Sequence, residues 1–106
     1  MARRPRAVTL WQMTSYAVIW AEDEATCAGR LDLDGRGFSL HGRGEGRRLY
    51  VPYGELDRVS RDGDRVGTVQ ALRVVLREGR SLLLATIEGF GTLIELHEKL
   101  ALQLRA

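Results

Sequence analysis

Residues 29–40 read GRLDLDGRGFSL, and this short stretch decides the fold. Leu31 and Leu33 alternate with Asp32 and Asp34, a glycine-rich DGRG follows, and Phe38 and Leu40 resume the alternation. An apolar period of two on both sides of a turn predicts an antiparallel hairpin, here from Thr26 to His41, with one face in a core. In this reading Asp32 and Asp34 point away from the leucines onto a solvated face. Two carboxylates on one face could pair for acid–base work, and the solvated reading is the simpler one.

The same period extends in both directions. Toward the N-terminus Tyr16, Val18 and Trp20 alternate until EDEAT interrupts with charge. Toward the C-terminus Leu49 and Val51 precede Pro52, which cannot donate to a central ladder and predicts a strand end or edge. Leu56 and Val59 fall in a further short segment closed by RDGDRVG. Leu72, Val74 and Leu76 then face one way with Arg73 and Arg77 facing the other. REGR turns this strand into Ser81–Ile87 as a second hairpin. About seven strands result, spaced as an antiparallel meander requires.

Between two of these strands lies HGRGEGRR, residues 41–48. A phosphate-cradling glycine loop places its backbone amides at the start of a helix. No helix begins here and Glu45 sits in the middle, so the glycines serve to turn the chain. Arg43, Arg47 and Arg48 are left as an anion or partner contact for an acidic protein or membrane surface.

The pattern changes near residue 90. Thr92 and Glu95 have the spacing of a capping box. Leu93, Leu96, Leu100 and Leu104 share one helical face, and Glu95 and Lys99 form an i,i+4 pair. These predict an amphipathic helix of roughly four turns, and the fold class is mainly β (α+β). Residues 1–14 read as a basic arm, flexible or packed at an interface, and residues 15–106 as the domain.

Composition bounds the function. A chain of 106 residues with 44% apolar content supports one core. The lone Cys27 excludes an internal disulfide, fits a reducing compartment and reads as a small buried apolar residue. Apolar runs such as Leu82–Ala85 are far too short to span a bilayer. The start, MARRPRAVTLWQM, lacks the long apolar centre of a signal peptide, so a cytoplasmic location is expected. Net charge is +2 and Lys99 is the only lysine; arginine usage of this kind fits GC-rich coding and is poor evidence for nucleic-acid binding. Arg58, Arg61 and Arg65 sit among Asp57, Asp62 and Asp64, where charges cancel locally.

Chemistry-bearing groups are sparse. His41, His97 and Cys27 have no metal-ligand spacing, and no nucleophile stands beside a base. No metal, no cofactor and no catalytic residue is therefore expected. Interaction is the better class. Trp11 and Met13 lie outside the predicted barrel, and Leu102 falls off the leucine stripe of the helix; these three mark a possible interface for a protein partner or a second copy of the chain.

Seven strands followed by one amphipathic helix is an element order similar to that of the pleckstrin-homology-like superfold. GRLDLDGRGFSL resembles the hairpin of bacterial pleckstrin-homology-like and GRAM-like domains, and LYVPYGELDRVSRDG resembles the stretch that follows it. The resemblance covers residues 16–104. It implies two orthogonal antiparallel sheets, a barrel or sandwich with the helix plugging one open end. The residues themselves point to a non-catalytic interaction module that binds a protein or itself, with anionic membrane through the N-terminal arginines and the 42–48 loop as the alternative. Domains of this family that hold inositol phosphates use basic residues in the first inter-strand loop. Here that loop carries Glu22, Asp23 and Glu24, so the resemblance disfavours a specific phosphoinositide, and a nucleic acid is equally unexpected.

Overall fold

The computed structural model describes residues 14–23, 25–43 and 48–105. Among the described residues there are nine strands and one long helix: β1 (Thr14–Glu22), β2 (Ala25–Leu33), β3 (Gly37–Gly42), β4 (Arg48–Pro52), β5 (Leu56–Ser60), β6 (Arg65–Val66), β7 (Val69–Gln70), β8 (Leu72–Leu76), β9 (Ser81–Thr86) and α1 (Phe90–Arg105). Seven of the strands form one antiparallel sheet in the order β4-β3-β2-β1-β9-β8-β5, and β6 and β7 form a separate two-stranded hairpin. The two layers expected of the sandwich are the two wings of this one curled sheet, a half-barrel joined through the β1–β9 ladder.

Alternation explains the inward face. Tyr16, Val18, Trp20, Leu31, Leu33, Phe38, Leu40, Leu72, Val74, Leu76, Leu82 and Leu84 are buried in one core. The predicted hairpin forms with Leu31 opposite Leu40 and Leu33 opposite Phe38. Asp34 closes it: its Oδ1 accepts from the amides of Arg36 and Gly37 at 2.7 and 2.9 Å. Pro52 ends β4, which lies at one sheet edge as a proline requires. Leu56 and Val59, three apart, both pack on the core because Asp57 is an extra residue in the pairing of β5 with β8. That bulge shifts the alternation by one.

The helix closes the open side of the half-barrel with Leu93, Leu96 and Leu100, all fully buried. Its start differs from the expected capping box. The helix begins at Phe90, so Thr92 is already inside the first turn. Gly89, at φ 114°, takes the chain into it. Its carbonyl accepts from the amide of Leu93 at 3.2 Å and from Thr86 Oγ1 at 2.9 Å. A buried threonine upstream thus fixes the helix entry, and Glu95 is released for a tertiary role.

Glu95 Oε2 accepts a 2.6 Å hydrogen bond from the buried Tyr16 hydroxyl and stands 3.4 Å from Lys99 Nζ. Lys99 Nζ also lies over the Tyr16 ring at 5.8 Å. The Tyr16 hydroxyl, with Lys99 beside it, holds the Glu95 carboxyl below its usual range. A depressed native pKa adds stability above the unfolded value that is lost as pH falls through the native one. Tyr16→Phe is therefore expected to widen its stability deficit above about pH 5 and to approach wild type toward about pH 3. Urea unfolding of both proteins across this range checks the sign.

Two expectations are corrected. Asp32 does not face solvent: it is 5% exposed. Its carboxylate accepts from Ser15 Oγ at 2.6 Å, pairs with Arg30 Nε at 3.0 Å, and stands 3.4 Å from His41 Nε2. Flanking strands bring Ser15 and His41 over it. Asp34 is engaged in its turn, so the two carboxylates do not pair. Cys27 is half-buried against the core rather than buried, its thiol 3.7 Å from the Ala28 carbonyl oxygen.

Candidate functional site

The short β6–β7 hairpin folds over the outer face of the sheet. Val66 and Ala71 pack there on Ala85, Ile19, Ala21 and Leu83 as a second, smaller core. Gly67, at φ 61°, allows the tight turn. Arg73 clamps the hairpin by pairing both Nε and Nη2 with the Asp64 carboxylate at 3.1 and 2.7 Å. Ala71 N donates to Asp64 O at 2.9 Å. The Arg73 guanidinium holds the Asp64 carboxyl below its usual range. Asp64 thus pairs with the outward arginine of β8, not with its sequence neighbours.

Between this hairpin and the entry to α1 lies an apolar groove of about 330 Å³, lined by Ile19, Val69, Gln70, Thr86, Ile87 and Leu93. Ile87 is 53% exposed and Val69 40% exposed, large apolar groups held open at the rim. The floor is rigid: Leu93 and Thr86 are buried, and Ile87 N donates to Ala17 O at 3.0 Å. Polar atoms at the wall are the Gln70 amide, the Thr86 hydroxyl and backbone. Strand β7 pairs only with β6 among the described residues. The groove can receive apolar side chains and, along β7, an extended backbone.

A second feature occupies the outer face of the β1–β4 wing. Arg30, His41 and Arg48 stand directly opposite one another across β2, β3 and β4, so their side chains share a row. Arg43 extends it, its amide donating to Ala28 O at 2.9 Å. Asp32 lies in the next row, held by Arg30 and His41. Arg30, Arg43 and Arg48 make this face basic, and the Asp32 carboxylate offsets only part of their charge.

Of the residues singled out from sequence, Arg43 and Arg48 flank the loop after β3 and are exposed, while Arg47 lies outside the described residues, as do Trp11 and Met13. Leu102 is 60% exposed on α1 and is not part of the groove lining. The groove itself was not anticipated. RDGDRVG was read only as a turn, and Ile87 as the last residue of a strand that in fact ends at Thr86. A signal was present: Val66-Gly67-Thr68-Val69 places two valines around a glycine turn. Among the described residues no group of His, Cys, Asp and Glu could hold a metal, and no helix is long and apolar enough to cross a membrane.

A curled antiparallel half-barrel closed by one C-terminal helix is the class that fold and site define. Neither a protein-family model nor a curated protein matches the chain. The crystal structure of the C-terminal domain of an unknown protein from Leishmania infantum is similar, with a TM-score of 0.72 and 14% identity, covering 92% of this chain and 87% of that one. At that identity the likeness is one of fold.

Proposed function

We propose that the chain is a non-catalytic interaction module of the pleckstrin-homology-like superfold, binding an extended apolar segment of a partner protein. The strand order β4-β3-β2-β1-β9-β8-β5 with a helix closing the open side supports the fold assignment. The observation that carries the function is the groove of Ile19, Val69 and Ile87. Exposed large apolar side chains around a formed concavity mark a binding surface more often than chance. Its volume is at the small end of ligand pockets, the size for one or two anchoring side chains. The edge strand β7 beside it offers main-chain donors and acceptors to an extended segment.

Peptide display against the folded chain is the test. Selected peptides are expected to carry an aliphatic or aromatic anchor, to keep binding at high salt, and to lose at least tenfold in affinity to Ile87→Glu, since a carboxylate would be desolvated in the contact. Selected peptides that bind Ile87→Glu as well as wild type would refute the groove as the docking site.

The row Arg30–His41–Arg48 with Arg43 favours a second reading, peripheral attachment to anionic membrane through the outer face of the β1–β4 wing. Binding of this kind weakens steeply as salt screens the charges. Co-sedimentation with phosphatidylserine vesicles at low and high salt separates it from the apolar reading. Binding that is equal to neutral vesicles, or unaffected by Arg48→Gln, argues against it.

A further inference from the structure

At the far end of the helix, away from the groove, the β2–β3 turn, the short helical turn Tyr53–Glu55, the β8–β9 turn and α1 border a second concavity of about 370 Å³. Its walls include Arg36, Tyr53, Leu56, Arg77, Gln103 and Leu104. Two of these are guanidiniums, and among the described residues the lining holds no carboxylate. Leu56 is buried at the base and Leu104, 36% exposed, forms an apolar wall.

The backbone that carries both arginines is fixed by hydrogen bonds. Arg36 sits on the β2–β3 turn, its amide bonded to Asp34 Oδ1 and its carbonyl accepting from Tyr53 N at 2.9 Å. The Tyr53 hydroxyl donates to Asp34 O at 2.7 Å. Burial, then the nearby Asp34 and Tyr50, pushes the Tyr53 phenol up to about 12, so it stays a neutral donor. Arg77 sits on the β8–β9 turn, its amide donating to Glu55 O at 2.9 Å. Of the nearby acids, the Asp34 carboxylate holds its turn, Glu78 lies 3.9 Å from Arg80, and Glu55 is exposed and outside the lining. Among the described residues neither the Arg36 nor the Arg77 side chain has an ion-pair or hydrogen-bond partner.

The C-terminal turn of α1 contributes a partial negative charge of about half a unit. Two full positive charges in one lining outweigh it and leave the site cationic. A ligand that completes this site carries an oxyanion for the two guanidinium forks and an apolar body for Leu56 and Leu104.

We propose that the concavity between the β2–β3 turn, the β8–β9 turn and the end of α1 binds an apolar carboxylate, with Arg36 and Arg77 holding the carboxylate and Leu56 and Leu104 packing the apolar part. Such a group comes from a free fatty acid or from the carboxyl terminus of a peptide ending in an apolar residue. The site is separate from the groove at Ile87 and independent of what binds there.

The experiment is an amide NMR titration of the full chain with decanoate, with decanol and decyltrimethylammonium as neutral and cationic counterparts. Decanoate is expected to bind saturably and to shift the amides of Arg36, Gly54 and Arg77, with decanol at least tenfold weaker and the cation weaker still. Arg36→Gln and Arg77→Gln, both on exposed turns, are each expected to cost about tenfold in decanoate affinity. Arg58→Gln is expected to leave it unchanged. A leucine-ended peptide with a free or amidated C-terminus distinguishes the sources. Tighter binding of the free-acid peptide than of decanoate assigns a protein carboxyl terminus, and the reverse assigns a fatty acid. Equal affinity for decanoate and decanol, an affinity untouched by both arginine substitutions, or shifts at Ile87 in place of Arg36 and Arg77 would overturn the proposal.

Discussion

Gly29→Ala is expected to destabilise the protein by about 3 kcal/mol or more, one of the largest effects of any single methyl group in this chain. Gly29 lies directly opposite Gly42 in the β2–β3 ladder. A Cβ at position 29 would overlap the carbonyl oxygen of His41 and stand 2.9 Å from its carbonyl carbon and 3.0 Å from Gly42 Cα. These are backbone atoms, with no rotamer by which to move aside. The methyl group can be housed only by parting the two strands, which breaks the ladder that holds β3 and β4 to the sheet. Facing glycines at this point let the sheet curl into a half-barrel. Chemical denaturation followed by far-ultraviolet circular dichroism measures the loss; a cost below about 1 kcal/mol would mean that β3 slides freely over β2.

Leu96→Ala is expected to cost about 2–5 kcal/mol. Leu96 is fully buried at the middle of the helical stripe, between Leu93 and Leu100. It fills the space between the wings of the half-barrel, so its removal leaves a cavity bordered by two elements that cannot collapse independently. Leu102→Ala, on the exposed side of the same helix, is expected to change stability by no more than about 0.5 kcal/mol. Equal effects at the two positions would mean that the helix does not plug the sheet.

Much of the architecture was legible because its signals are local. In GRLDLDGRGFSL the core face, the turn and the return strand are all encoded within twelve consecutive residues, and Pro52 marks an edge by chemistry alone. Other features depend on partners distant in sequence. Asp32 looks solvated within its own strand and is buried only because Ser15 and His41 arrive from the strands on either side. The Thr92–Glu95 spacing satisfies the capping pattern, yet Gly89 and Thr86 start the helix earlier and Tyr16 takes Glu95. The bulge at Asp57 leaves no composition signal, and strands of two residues, like β6 and β7, are too short to show a period. The groove therefore escaped notice: Ile19 lies on β1 and Ile87 just past the end of β9, and they meet Val69 only in the folded chain. The concavity of Arg36 and Arg77 is hidden for the same reason, since each arginine reads locally as an ordinary turn residue.

The chain contains only three isoleucines, Ile19, Ile87 and Ile94. Two line the groove and the third sits on α1 outside it. Isoleucine δ1-methyl NMR of the full chain, titrated with a display-selected apolar peptide, thus tests the docking site with an internal control. Shifts at Ile19 and Ile87 with Ile94 unmoved are the predicted result. Saturable binding that leaves Ile19 and Ile87 unmoved would contradict it.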